Sequence, residues 1–264
     1  MTNKEYRQHE GLSRSELFTL IDKTPLHFQY EQLNKKEDTP SLAFGRAAHK
    51  YILERSDFLK EFAVAPAVDK RTKEGKAAWL EHSVFCEENG LESVSADDFK
   101  VIQDMAAAID ADPIASELLK GQHEQSFFWE DPETGEKLKC RPDCITLYGG
   151  KLLLVDYKTT TSCADGAFER EARKHGYDFQ AGFYIEGVFQ NTFEDYGFAF
   201  IAQEKTAPYA VRVYFCSDDF IEEGADKFRS AVNMYKWCKD NNNFFGWEGP
   251  DPFPTTLLGS NKEV

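Results

Sequence analysis

Over roughly the first 120 positions, apolar residues recur at spacings of three and four, the repeat of helices that pack one face on a core. Ser13-Arg14-Ser15-Glu16 carries a capping-box pattern and opens an apolar run through Leu17, Leu20 and Ile21. Pro25 suits the first turn of a second helix, in which Leu26 and Tyr30 share a face. Ser41 is placed to cap a third helix, with Leu42, Gly45, His49 and Ile52 along one side. Further helical repeats cover residues 72–89, 96–110 and 113–120.

The period then changes. Residues 124–130, 138–148 and 151–157 read as three consecutive strands, separated by Asp131-Pro132-Glu133-Thr134-Gly135 and by Gly149-Gly150. Helices are expected at 166–174 and 178–190, strands at 196–203 and 209–216, and a last helix at 218–239. The segment from Asn241, rich in Pro, Gly and aromatics, reads as a surface strap or tail. With no internal repeat and no long linker, the expected organisation is one α/β domain over residues 1–240. Its helical part spans about 10–120 and its sheet and helices about 121–240, with a tail at 241–264.

Composition narrows the setting. With 41 % hydrophobic and 29 % charged residues in 264, the chain has the profile of a soluble globular protein. No apolar stretch approaches the ~20 residues of a membrane-spanning helix, and the N-terminus is too polar for a secretory signal. A cytoplasmic protein is expected. The six cysteines form no C-x-x-C pair and no zinc or iron–sulfur spacing, and a disulfide framework is not expected. Cys140 and Cys144, an even number of positions apart on one predicted strand, are expected to share a buried face.

A net charge of −15 at first argues against nucleic acid as a partner. The distribution changes that. Residues 1–80 carry 14 Lys+Arg against 12 Asp+Glu, whereas the remaining 184 residues carry 17 against 34. Thr39 to Leu53 contains no acidic residue but holds Arg46, His49 and Lys50, and Lys70, Arg71, Lys73 and Lys76 crowd one short stretch.

The candidate chemistry lies in Cys140-Arg141-Pro142-Asp143-Cys144-Ile145 and Leu152-Leu153-Leu154-Val155-Asp156-Tyr157-Lys158. Leu152–Val155 is apolar on both faces, as in a central buried strand, and it ends by delivering Asp156 and Lys158 to one face. If Gly149-Gly150 forms a two-residue hairpin turn, Tyr148 pairs with Lys151, and the same register sets Asp143 opposite Asp156, about 5 Å away. The turn at Glu133-Thr134 likewise brings Glu124 beside Asp143 or Cys144. Like charges that close in a sheet interior need a cation between them or a proton on one. A hard divalent ion such as Mg²⁺ fits oxygen donors of this kind.

Pro142-Asp143 … Asp156-Tyr157-Lys158 resembles the named motif of the PD-(D/E)XK nuclease superfamily. More narrowly, the chain resembles the RecE (exodeoxyribonuclease VIII) nuclease-domain family of phages and prophages. The supporting stretches are Gly11-Leu12-Ser13-Arg14-Ser15, Thr24-Pro25-Leu26-His27-Phe28, the Gly45…His49 helix, the basic loop Asp69–Lys76 and Gln180…Tyr184. The resemblance implies an α/β fold with a central mixed sheet flanked by helices. It implies metal ligation by His49, Asp143, Asp156 and the Tyr157 carbonyl, with Mg²⁺, or Mn²⁺ in its place. Lys158 would orient or activate the attacking water and help neutralise the scissile phosphate, Glu124 would be a ligand through water or would support the ligands from behind, and Gln180 and Tyr184 would contact the carboxylates or the DNA backbone. Arg46, Lys70, Arg71, Lys73 and Lys76 are the expected phosphate contacts.

The implied reaction is hydrolysis of linear duplex DNA from 5′ ends, leaving 3′ single strands for a RecT-like annealing protein, by an enzyme that forms ring tetramers. The rival readings are an endonuclease or repair nuclease of the same superfamily, a non-catalytic DNA-binding module, and a metabolic α/β enzyme. Intact Asp143, Asp156 and Lys158 argue against the module, and the lack of a phosphate-cradling Gly-rich loop argues against the metabolic enzyme.

Overall fold

A computed structural model describes residues 1, 3–34 and 39–250. The predicted tail therefore has only 241–250 within the described residues. The helical part begins with α1 (Asn3–Gln8), α2 (Arg14–Asp22), α3 (Pro25–Leu33) and α4 (Pro40–Leu53). It continues through α5 (Phe58–Glu61), β1 (Phe62–Val64), α6 (Lys73–Asn89), β2 (Glu92–Val94), α7 (Ala96–Ala111) and α8 (Pro113–Leu118). Ser13 and Glu16 form the expected capping box on α2. The cap of α4 is Thr39 rather than Ser41. Thr39 accepts from the Leu42 N–H, and Pro40, which has no N–H to orphan, takes the first helical position. The buried side of α4 is also shifted from the expected one. Ala47, Ala48, Ile52 and Leu53 are covered, whereas Leu42 is exposed and His49 stands at the edge of the buried stripe.

The main sheet has the order β3-β6-β7-β8-β9. Its strands are β3 (Gln122–His123), β6 (Cys144–Tyr148), β7 (Lys151–Thr160), β8 (Gly197–Glu204) and β9 (Val211–Phe215), while β4 (Phe127–Glu130) and β5 (Lys137–Cys140) form a separate hairpin. The single strand expected over 138–148 is thus broken at Arg141-Pro142-Asp143 into β5 and β6. Proline cannot donate to a ladder, and the chain leaves one sheet there to enter the other. Cys140 and Cys144 are both buried free thiols, as expected, but the break sends them into different cores rather than onto one face. The strand expected from Glu124 starts instead at Phe127. Glu124 takes a left-handed backbone, φ 53°, incompatible with a strand.

β7 lies at the centre, antiparallel to β6 and parallel to β8, with α9 (Asp165–His175) and α10 (Tyr177–Thr192) in the crossover. Alternation along it divides the core. Leu154, Phe198, Phe200 and Ala202 face α10, α2 and α11 (Asp218–Asp240), while Leu153, Val155, Tyr157, Ala199 and Ile201 face α7 and α8. α10 and α11 approach closely at two glycines. A Cβ on Gly224 would stand 1.8 Å from the Asp178 carbonyl oxygen, and one on Gly182 would stand 2.4 Å from the Ala225 nitrogen. That contact fixes α10 against α11, and from α10 the Gln180 side chain reaches Asp156 on β7. After α11, the segment 241–250 runs over α3. The Leu26 N–H donates to the Phe245 carbonyl at 3.0 Å, and Phe244 stacks on Phe28. Among the described residues no helix is long and apolar enough to cross a membrane.

Candidate active site

The hairpin register is the predicted one. Tyr148 pairs with Lys151 and Cys144 with Val155, which sets Asp143, one residue beyond the ladder, against Asp156. The second register holds too: His123 pairs with Cys144, and the Glu124 N–H donates to the Asp143 carbonyl at 3.1 Å. Three carboxylates therefore converge where Pro142 splits the two sheets. His49 reaches them from α4. Its Nε2 lies 2.8 Å from Asp143 Oδ2 and its Nδ1 lies 3.4 Å from Glu124 Oε1. His49, Glu124 and Asp143 each offer a donor atom within 4.8 Å of the others.

Asp156 is held separately. Lys158 Nζ sits 2.5 Å from Asp156 Oδ2, and the Gln180 amide donates to Oδ1. The lysine contact is an ion pair without hydrogen-bond alignment, so Oδ2 is a buried oxygen with no hydrogen bond. Asp143 Oδ2 accepts the Tyr157 N–H at 2.7 Å, which ties the two acidic strands together through one peptide.

Electrostatics show what this crowding costs. Burial and the Asp143 charge lift Asp156 to about 6, although Lys158 and His49 pull it down. Burial, then Asp143, lifts Glu124 to about 7 against His49 and Arg141. Burial disfavours a His49 cation, but the charge and hydrogen bond of Asp143, with Glu124 and Asp156, outweigh it and lift the imidazole to about 9. Burial also opposes ionisation of Asp143, yet His49, Lys158 and the Tyr157 N–H hold it below the usual carboxylate range. In the metal-free protein a proton on His49 thus does the charge balancing that a dication would do.

The donor set fits a hard divalent ion: carboxylate oxygens, one imidazole, and an Asp156 oxygen with no hydrogen bond. Glu124 rather than Asp156 groups most tightly with His49 and Asp143, because Lys158 and Gln180 already hold Asp156. The structure thus brings together His49, Glu124, Asp143, Asp156, Tyr157, Lys158 and Gln180.

Tyr184, one turn beyond Gln180 on α10, lines a cavity of about 540 Å³ together with Lys158 and Gln180. The expected phosphate contacts, on α4 and over residues 70–76, are not among the residues that line this cavity. Arg46, one helical turn before His49, is ion-paired with Glu92 at 2.6 Å. Arg71 is paired with Asp69, and Lys70 lies over the Trp79 ring. Lys73 and Lys76 stand exposed at the start of α6.

Three cations escaped the sequence reading. Arg141, with its side chain 9 % exposed, places Nε 2.5 Å from Glu124 Oε2 and leaves Nε and Nη1 without hydrogen bonds. The signal was its place two positions before Asp143, on the same side of an extended chain. Arg14 and Lys139 line the cavity beside Lys158. They come from α2 and β5, so only tertiary structure reveals their meeting.

A family described as "PDDEXK-like domain of unknown function (DUF3799)" matches residues 15–245. The chain belongs to this PDDEXK-like family. Its fold is shared with a solved structure of a "Putative exonuclease" from Eubacterium rectale, 18 % identical over 98 % of this chain and 96 % of that one, with a TM-score of 0.65. A solved structure of SSO0001 aligns at 14 % identity over 94 % of this chain and 83 % of that one, with a TM-score of 0.38. No curated protein matches. The α/β fold expected from sequence, a central mixed sheet flanked by helices, is the fold of this PDDEXK-like family.

Proposed function

We propose that the protein is a Mg²⁺-dependent exodeoxyribonuclease that digests linear double-stranded DNA from 5′ ends, leaving 3′ single strands for a RecT-like annealing partner. The observation that carries the reading is the meeting of Asp143, Asp156 and Lys158 with His49 and Glu124, with Lys158 and Gln180 also lining a cationic cavity. The RecE-like motif order supports DNA as substrate, and the name of the Eubacterium rectale structure, "Putative exonuclease", is in keeping with cleavage from ends. The cytoplasm of a bacterial or phage-infected cell and a ring-shaped homo-oligomer belong to the same proposal.

His49, Glu124 and Asp143, with Asp156 Oδ2 and the Tyr157 carbonyl, would hold the ion. When bound, it supplies positive charge at the scissile phosphate and makes water a stronger nucleophile. The chain's own groups do the rest. Gln180 fixes the rotation of the Asp156 carboxylate, so that the Lys158 ammonium stands on the substrate side and can neutralise a phosphate oxygen and orient the attacking water. Arg14 and Lys139 offer further charge to the phosphates of a strand entering the cavity, and Tyr184 walls it on α10.

The test is incubation of 5′- or 3′-labelled linear duplex and of closed circular duplex with Mg²⁺. Early release of the 5′ label with circles untouched supports the proposal. Cutting of circles would move the assignment to an endonuclease, and early release of the 3′ label would reverse the polarity.

A further inference from the structure

We infer that Gln203, through the hydroxyl of Tyr157, is a positioning residue that fixes the peptide on which the two acidic strands converge. The inference rests on the metal-site reading above. Tyr157 is the middle residue of Asp156-Tyr157-Lys158, so its side chain leaves β7 on the opposite face from both neighbours. There it is buried, 3 % exposed, in the apolar layer with Val155, Ile201 and Met105. Its hydroxyl donates to Gln203 Oε1 at 2.7 Å. Gln203 is wholly buried on β8, two residues beyond the Ile201 that pairs with Tyr157. Its amide donates to the Met105 carbonyl of α7 at 2.8 Å and to the Tyr209 carbonyl at 3.3 Å.

A Phe–Met pair would fill this space without burying any polar side chain. The buried polar chain that stands there instead is fully satisfied, and what such a chain adds over an apolar fill is direction. It acts on the peptide that matters. The Tyr157 N–H donates to Asp143 Oδ2, and Asp156 and Lys158 flank it. One end of the residue is thus tied to a ligand carboxylate and the other to α7. α7 in turn packs against α4, with Met105 and Ile52 in one buried cluster and Ile102 and Ala48 in another. The candidate ligands are divided between the sheet (Asp143 and Asp156) and α4 (His49), and Gln203 braces one part against the helix layer carrying the other.

The experiment compares Tyr157→Phe, Gln203→Met and the double variant with the wild type. The readouts are melting temperature without metal, Mn²⁺ affinity by calorimetry, and kcat and KM on linear duplex DNA. The expected result is a loss of kcat of about tenfold or more in each single variant, with Mn²⁺ bound several-fold more weakly and KM for DNA nearly unchanged. The double variant matches apolar to apolar. It should regain most of the melting temperature while its Mn²⁺ affinity and kcat stay low. Recovery of all three together would overturn the inference, because the network would then be only a way of filling the core. Should a single variant fail to fold, the double variant still decides. If the wild type binds Mn²⁺ but cleaves no DNA, the nuclease reading fails while Mn²⁺ affinity still tests the inference. A wild type that binds no Mn²⁺ overturns the inference as well.

Discussion

Replacing Asp156 by Asn should destroy activity and stabilise the metal-free protein. Asp156 is 2 % exposed, and burial together with the Asp143 charge lifts it from 3.8 to about 6. A folded-state value above the unfolded one means that the fold favours the protonated form. The stabilising contribution is therefore complete below about pH 4 and is lost as pH rises through 6. At about 1.4 kcal/mol per pH unit, an ionised Asp156 costs the metal-free fold on the order of 3 kcal/mol at pH 8. Asparagine keeps the shape and the Gln180 contact but carries no charge. Asp156→Asn should therefore raise the melting temperature in EDTA at pH 8 by several degrees, at roughly 2–4 °C per kcal/mol for a chain of this size. The gain should shrink toward zero near pH 4. With Mg²⁺ the order should reverse, because the wild type gains more from the ion than the variant. Differential scanning calorimetry in EDTA and in Mg²⁺ across pH 4–8, beside an end-labelled DNA assay, tests both halves. A variant that melts below the wild type in EDTA at pH 8 refutes the electrostatic account, and one that hydrolyses DNA at the wild-type rate refutes the site.

Other expectations follow from the same geometry. His49, held protonated up to about 9 without metal, must lose that proton to ligate an ion, so Mn²⁺ binding at pH 7.5 should release close to one proton; calorimetry in buffers of different ionisation enthalpy measures it, and zero release would exclude His49 as a ligand. Lys158→Met should cut the rate by about 10²-fold or more while leaving Mn²⁺ affinity intact or improved, since the ammonium shares Asp156 with the ion. Gly224→Ala would drive a methyl into the Asp178 carbonyl, and urea unfolding should show a loss of about 3 kcal/mol. Arg141→Met removes the cation against Glu124, whose ionisation burial already opposes, so the activity profile should shift to higher pH.

Much of this site was legible because antiparallel pairing is arithmetic. Once Gly149-Gly150 was read as a two-residue turn, every partner from Tyr148 to Cys144 followed, and Asp143 against Asp156 with them. The turn at Glu133-Thr134 placed Glu124 by the same rule, even though the ladder it predicted is divided between two sheets. What failed was the assumption that a ladder stays in one sheet. Pro142 announced the break, but nothing local says where the chain goes after it. Periodicity found the helices, yet it weighs Leu42 and Ile52 alike on α4, and only the neighbouring α7 decides which of them is covered. Arg14, Lys139 and Gln203 were invisible for a stricter reason. Arg14 meets Lys139 and Lys158 across more than 100 residues of chain, Gln203 meets Met105 across 98, and no spacing rule links such positions.

The net charge of −15 looks different once the charges have places. At physiological ionic strength a charge is felt over about 8 Å, so the sum over the chain sets long-range repulsion from DNA while local groups decide contact. The cavity wall carries Arg7, Arg14, Lys139 and Lys158 against Glu16 alone among the described residues. By contrast, α11 opens with Asp218, Asp219, Glu222, Glu223 and Asp226, and Asp97, Asp98 and Asp104 lie on α7. A duplex lying loosely on such a surface meets repulsion almost everywhere. On the proposed function, a strand threaded toward Lys158 would meet cations just where carboxylates would otherwise repel its phosphates. Those carboxylates hold a further charge in reserve, because burial and the Asp143 charge lift both Glu124 and Asp156, and a dication would release both. The acidity that opposes unspecific binding and the acidity that calls for a metal are thus separate populations of residues, one on the outer helices and one gathered around the middle of β7.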